Sequence, residues 1–211
     1  MFDFHCHILP NVDDGSQSLE ETIEMINFLK ENNFSGVIAT PHANSLYFPK
    51  REILNEIKEN ILKHIDFNII IGYEVRVDAI ENYDPRIFVI EGTNFILLEF
   101  DFYKKPSDII EPFIKVMKYG LKPILAHPER YPYLTFNEIK KIKDFNVLIQ
   151  INAKSLNGFY GIEVMRKAQK LYEICDLVGS DAHSIEDYRN LKNLSFYNNK
   201  DFSKLINNFR I

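Results

Sequence analysis

Short apolar runs that end in histidine or carboxylate recur along this chain, and helical segments separate most of them. Phe2, Phe4, Cys6 and Ile8 alternate with Asp3, His5 and His7. Val37 to Thr40 leads into Pro41-His42, Phe67 to Val75 carries Glu74, and Phe95 to Phe100 carries Glu99. Pro123 to Ala126 ends at His127, Val147 to Ile151 follows, and Leu177 to Ser180 exits into Asp181-Ala182-His183. Helical periodicity fills the gaps over 19–34, 51–65, 107–119, 136–144 and 162–174. The first of these helices begins with a capping-box pattern, Ser18 as N-cap and Glu21 three residues on. Arg76 to Thr93 is too short and irregular for a full crossover helix, and the tail from Ile185 to Ile211 reads as helical. Seven strands alternating with helices predict a parallel sheet, and continuous apolar runs suit strands covered on both faces. Closing that sheet gives an α/β barrel with one unit fewer than the eight-fold form, whose usual length is about 250 residues.

Composition sets outer limits. The 211 residues, 45% hydrophobic, suffice for one domain over 1–211 with an ample core. A formal charge of −5 argues against a broad nucleic-acid surface. Cys6 and Cys175 supply no disulfide framework and no zinc pattern of paired cysteines. No basic segment followed by an apolar run opens the chain, and no apolar stretch approaches the roughly 20 residues a bilayer span needs. A cytoplasmic protein without membrane insertion is expected.

The strand exits carry the chemistry. On a strand, side chains two apart share a face about 6.6 Å apart, so His5 and His7 converge. The turn behind them, Leu9 to Gly15, is rich in oxygen ligands, Asp13 and Asp14 among them. Five of six histidines (His5, His7, His42, His127 and His183) lie in or just past a strand end, as do Glu74, Glu99 and Asp181. A parallel barrel brings such ends to one rim, where active sites are built. Imidazole and carboxylate without thiolate suit Mn²⁺, Fe²⁺ or Zn²⁺. Clusters of two or more such ions clamp the attacking and leaving oxygens of a displacement at phosphorus. Arg130, three residues past His127, has the planar fork that matches phosphate. Cys6 points the other way as core, and His64 reads as a surface residue. Tyr131, Tyr133, Phe48, Phe102 and Tyr103 lie near rim loops, where packing or stacking on a substrate ring are both open to them.

Asp3-Phe4-His5-Cys6-His7-Ile8-Leu9-Pro10, Asp13-Asp14-Gly15, Thr40-Pro41-His42, Gly72-Tyr73-Glu74, Leu98-Glu99-Phe100, His127-Pro128-Glu129-Arg130-Tyr131 and Ser180-Asp181-Ala182-His183 together resemble the PHP (polymerase and histidinol phosphatase) superfamily. Within it they are similar to the capsule-associated bacterial protein-tyrosine phosphatases, in the right order from residue 1 to about 184. The resemblance implies a distorted seven-stranded barrel holding three divalent ions, typically Mn²⁺. It assigns His5, His7, Glu74 and Asp181 to one ion, Glu74, Glu99 and His127 to a second, and Asp14, His42 and His183 to a third. Arg130 would grip the phosphoryl group, with Asp14 and His42 also in the catalytic set. The family's further arginine after the last histidine has its nearest counterpart in Arg189, at a different spacing. The implied substrate is phosphotyrosine on protein, on the tail of an autophosphorylating tyrosine kinase that controls capsule or exopolysaccharide assembly. Two alternatives stand beside it: a small-molecule phosphatase such as one for histidinol phosphate, and a silent metal-binding regulatory module.

Overall fold

The computed structural model describes residues 1–197. In chain order they form β1 (Phe2–Cys6), α1 (Leu19–Glu31), β2 (Gly36–Ala39), β3 (His42–Ala43), α2 (Arg51–Leu62), β4 (Asn68–Ile71) and β5 (Glu74–Arg76). There follow β6 (Phe95–Glu99), α3 (Glu111–Met117), β7 (Lys122–Leu125), α4 (Phe136–Asp144), β8 (Leu148–Asn152), α5 (Ala153–Leu156), α6 (Ile162–Tyr172), β9 (Leu177–Gly179) and α7 (Ile185–Arg189). The stretch between β5 and β6 holds two short 3₁₀ turns, Ala79–Glu81 and Pro85–Phe88, and no crossover helix. Of the predicted helical tail, α7 and a 3₁₀ turn at Ser195–Tyr197 are seen; 198–211 lies outside the described residues.

All strand pairs among the described residues are parallel. One sheet runs β1-β2-β4, and a six-stranded sheet, curled into a half-barrel, runs β3-β5-β6-β7-β8-β9. The expectation of seven continuous strands meets nine strand segments among the described residues. The second run is interrupted at Thr40-Pro41, where proline has no N–H for the ladder. The third is interrupted at Gly72-Tyr73, where a Cβ on Gly72 would lie 3.1 Å from Ile38 and Ile90.

α1, α2, α4 and α6 begin at the expected residues, and one helix start differs. Ser18 Oγ accepts the Glu21 N–H at 3.2 Å, but the Glu21 carboxylate takes the Gln17 N–H at 2.8 Å, so the box is half closed. The helix expected from Ser107 begins at Glu111, because Asp108 Oδ1 accepts the Ile110 and Glu111 N–H groups and Pro112 sits in the first turn. α4 holds the expected 136–144, closed by a Thr135–Glu138 capping box.

Two links decide where the site forms. The β1 exit docks on the β9 exit: Asp181 N–H donates to His5 O at 2.8 Å, and His7 N–H donates to Ala182 O at 2.9 Å. Beneath them the buried Asp3 accepts Ser180 N–H at 2.8 Å and Tyr188 O–H at 2.8 Å, joining β1, β9 and α7. Phe4, Ile38, Phe95, Leu97, Ile124 and Leu177 converge below the exits around a gap of about 10 Å³, so the floor of the site is close-packed.

Candidate metal centre and active site

β1 carries alternating residues, yet its polar side is as buried as its apolar side: His5 is 0% and His7 1% exposed. Both imidazoles turn inward, and their Nε2 atoms stand 3.3 Å apart. Glu74 Oε2, at the start of β5, is 3.4 Å from each Nε2. Asp181 Oδ1, just past β9, lies 3.6 Å from His5 Nε2 and 3.5 Å from His7 Nε2. An ion held tetrahedrally at about 2.1 Å needs ligands spaced about 3.4 Å apart. The five distances that involve the two imidazoles, 3.3–3.6 Å, have that spacing.

Around this cage the remaining candidates fall into two flanking groups. His42 Nδ1 is 3.0 Å from Glu74 Oε2, and its Nε2 is 3.5 Å from Asp14 Oδ1. His183 Nε2 is 3.7 Å from the same Asp14 oxygen, so Asp14, His42 and His183 meet beside His7. On the other flank His127 Nε2 lies 2.6 Å from Glu74 Oε1 and 3.8 Å from Glu99 Oε1. His42 also falls within reach of Glu74 and Glu99 there. All nine ligand candidates therefore meet in one place. The inner ones are buried, whereas the side chains of His42 (14% exposed), His183 (26%) and Asp14 (55%) open the cluster to solvent.

The donor set fits divalent cations. Glu74 Oε2 and His42 Nδ1 are buried and face each other at 3.0 Å without forming a well-directed hydrogen bond, a costly state that an ion taking both lone pairs would relieve. Outer partners fix the ring orientations. His7 Nδ1 pairs with Asp13 Oδ2 at 2.7 Å and His5 Nδ1 with Gln150 Oε1 at 3.1 Å, leaving both Nε2 lone pairs facing the cage. The two carboxylates are divided in the same way. Asp181 Oδ1 faces the histidines, while Oδ2 accepts from Arg130 Nη1 at 2.6 Å and Asn152 Nδ2 at 2.7 Å.

Charge follows geometry. Burial pushes the Glu74 carboxyl up, but His5 and His42 outweigh it and hold the pKa well below the usual range. Asp181 is likewise driven well down against burial, by the His7 hydrogen bond first and then by Lys154. Glu99 moves the other way: burial and the Glu74 and Asp181 charges raise it well above 4.5. Crowded carboxylates of this kind need added positive charge. Two ligand candidates also sit in the left-handed backbone region, His127 at φ 31° and Asp181 at φ 55°. Non-glycine residues there are held against local preference, as commonly happens at functional sites.

Arg130 is clamped. Its guanidinium lies 4.5 Å over the Phe102 ring and 4.3 Å over the Tyr160 ring, with one N–H on Asp181. Phe102 in turn stacks on His127, with centroids 5.6 Å apart. Other sequence candidates go elsewhere. Tyr131 is fully buried and its hydroxyl accepts the Phe100 N–H; Cys6 is core; His64 is on the surface. Tyr103 is 97% exposed. Arg189 is turned away, paired with Glu24 and Glu186.

The sequence reading missed Asp13 as a histidine partner, and it missed Gln150, Asn152 and Tyr160. Gln150 and Asn152 show the same i, i+2 spacing at a strand exit as His5 and His7, which was the available signal. Tyr160 lies in an irregular turn and gave none.

A curled parallel sheet whose strand exits gather buried imidazoles and carboxylates is the architecture of a metal-binding α/β enzyme. The chain belongs to the CpsB/CapC family of capsular polysaccharide synthesis proteins, whose sequence model matches residues 1–197. It is 32% identical over 204 residues to the putative tyrosine-protein phosphatase CapC of Staphylococcus aureus, covering 88% of this chain and 78% of that one. It is 29% identical over 203 residues to the tyrosine-protein phosphatase YwqE of Bacillus subtilis (strain 168), with the same coverage. The fold superposes with a TM-score of 0.77, at 26% identity, on a solved structure described among YwqE from B. subtilis and CpsB from Streptococcus pneumoniae, unique metal-dependent tyrosine phosphatases; 90% of this chain and 84% of that chain are covered. A lactonase of Listeria monocytogenes, 12% identical with a TM-score of 0.61, shares the fold alone.

Proposed function

We propose that this protein is a metal-dependent phosphoesterase that hydrolyses phosphotyrosine on protein, its substrate being the tail of an autophosphorylating tyrosine kinase in capsule or exopolysaccharide assembly. The observation that carries the reading is the four-atom cage of His5, His7, Glu74 and Asp181, found in a chain whose relatives are named tyrosine phosphatases. In this reading the whole chain is one catalytic domain acting in the cytoplasm. Taking β2–β3 and β4–β5 each as one interrupted strand gives seven, closed between β1 and β9 by the Cys6–Ala182 bridge, as in a PHP barrel.

The cage would hold one ion. Glu74, with one oxygen towards His5, His7 and His42 and the other towards His127, would bridge to a second completed by Glu99 and His127. Asp14, His42 and His183 would hold a third. Mn²⁺ is the proposed metal, on an oxygen–nitrogen donor set without thiolate that also suits Fe²⁺ and Zn²⁺. Bound ions of this kind polarise phosphoryl oxygens and bring the acidity of water towards neutrality.

The chain's own residues do the rest. Arg130 has five N–H donors, and Asp181 takes one, so the fork retains donors for phosphoryl oxygens. Its two covering rings restrict the plane in which those donors lie. The exposed edge at Asp14, His42 and His183 leaves an entrance for a side chain carried on a polypeptide. A phenol leaves with a pKa of about 10, so an aryl ester needs less proton donation than an alkyl ester. That favours phosphotyrosine over histidinol phosphate.

Chelation tests the reading. Activity on a phosphotyrosine peptide should vanish in chelator and return with Mn²⁺, while His5→Ala and Asp181→Ala should stay inactive with the metal restored. Full activity from a preparation shown to be metal-free would reject it.

A further inference from the structure

We propose, building on the phosphotyrosine reading, that the cavity between α5 and α7 is a subsite for an acidic side chain neighbouring the phosphotyrosine in the substrate polypeptide, received by Lys154 and Lys192. The cavity measures about 280 Å³; Lys154, Asp187, Asn190 and Lys192 are among its lining residues.

Lys154 is the unusual member. Its side chain is 5% exposed, and burying an ammonium is costly unless its protons find acceptors. It has three donors. Among the described residues one oxygen meets them, Asp187 Oδ2 at 3.0 Å, and the Phe159 and Tyr160 rings lie at 5.5 and 5.7 Å. Asp187 is shared, because the same oxygen accepts the His183 N–H at 2.8 Å. Lys192, on the wall, has no ion-pair or hydrogen-bond partner among the described residues. The lining thus carries two lysines and one carboxylate, with Lys154 also acting on Asp181 behind it, in a chain whose net charge is −5. An anion is the occupant such a cavity selects.

Position decides which anion. Asp187 links the cavity to His183, and Tyr160 links Lys154 to Arg130, whose guanidinium it covers. One layer of side chains separates the cavity from the site proposed to take the phosphoryl group. Successive residues of an extended peptide advance about 3.3 Å, so a glutamate or aspartate a few residues from the phosphotyrosine spans that layer.

The test uses the full chain loaded with Mn²⁺ and phosphotyrosine peptides of one length carrying Glu, Ala or Lys at the flanking positions. Turnover and binding by fluorescence anisotropy are both measured, with p-nitrophenyl phosphate as a substrate too small to reach the cavity. The Glu peptide should lead the Lys peptide by roughly fivefold in kcat/KM, the scale of one favourable ion pair. Lys192→Glu should reverse that order and leave p-nitrophenyl phosphate turnover unchanged, and Lys154→Met should erase the ratio between the Glu and Lys peptides, whatever its effect on overall turnover. Equal kcat/KM and affinity for the three peptides, or a Glu preference that survives both substitutions, would overturn the subsite. Binding that favours the Glu peptide with no turnover of any substrate would instead reject the phosphatase reading and leave the subsite standing.

Discussion

The division of labour within Asp181 sets what single residues should do. One oxygen faces the histidines and the other holds Arg130 and Asn152, so losing Arg130 would remove the proposed phosphoryl contact and leave the oxygen that faces the cage free of it. Arg130→Ala should lower kcat/KM by about 10²- to 10³-fold, the usual cost of a preorganised transition-state contact, with metal content unchanged by atomic absorption. Arg130→Lys should recover little, since a point charge neither forks nor stacks. Tyr160→Phe keeps the ring over the guanidinium and should keep most activity, whereas Tyr160→Ala should not. At this scale the cluster was largely legible: histidines and carboxylates at strand ends announce themselves by type and position. What escaped was the supporting layer. Glutamine, asparagine and lysine are ordinary surface residues in a sequence, and only burial marks Gln150, Asn152 and Lys154 as something else.

At the scale of elements, the site depends on two close approaches that only glycine permits. A Cβ on Gly179, in β9, would lie 2.4 Å from His5 Cβ and 2.9 Å from His5 N; one on Gly15 would lie 2.2 Å from His7 O. Gly179→Ala should lower stability by about 1–3 kcal/mol, as overpacking does, and reduce bound metal by displacing His5; calorimetry and metal analysis check both effects. A second prediction concerns the seam between α2 and the end of β4. Glu91 accepts from Lys58 Nζ at 2.9 Å and from the Ile71 N–H at 3.1 Å. Burial alone would raise its pKa, but these two donors outweigh burial and lower it from 4.5. A folded pKa below the unfolded one adds stability above about pH 4.5 that is lost as pH falls through the folded value. Glu91→Gln should therefore cost under about 1 kcal/mol at pH 7, since the pair is half exposed, and the difference in urea midpoints should shrink below pH 4.5. Strand and helix identities were readable from periodicity, as α4 shows. Their interruptions were not, because Pro41 and Gly72 break strands through lost donors and close packing that only the assembled sheet reveals.

Across the whole molecule, one arrangement explains the parts. Parallel strands place their exits on a single edge, Asp3 ties the first strand to the last, and Glu74 occupies the centre of the resulting cluster. Removing Glu74 should therefore disturb more than one ion. Glu74→Gln is expected to lose both activity and more metal than Asp14→Asn, because Asp14 is an exposed member at the edge. The central claim is that this edge hydrolyses aryl phosphates carried on protein. It is tested most directly by kcat/KM for a phosphotyrosine peptide, a phosphoserine peptide and histidinol phosphate at equal Mn²⁺ on one preparation. A clear lead for phosphotyrosine is the predicted result; a preference for histidinol phosphate would contradict the account.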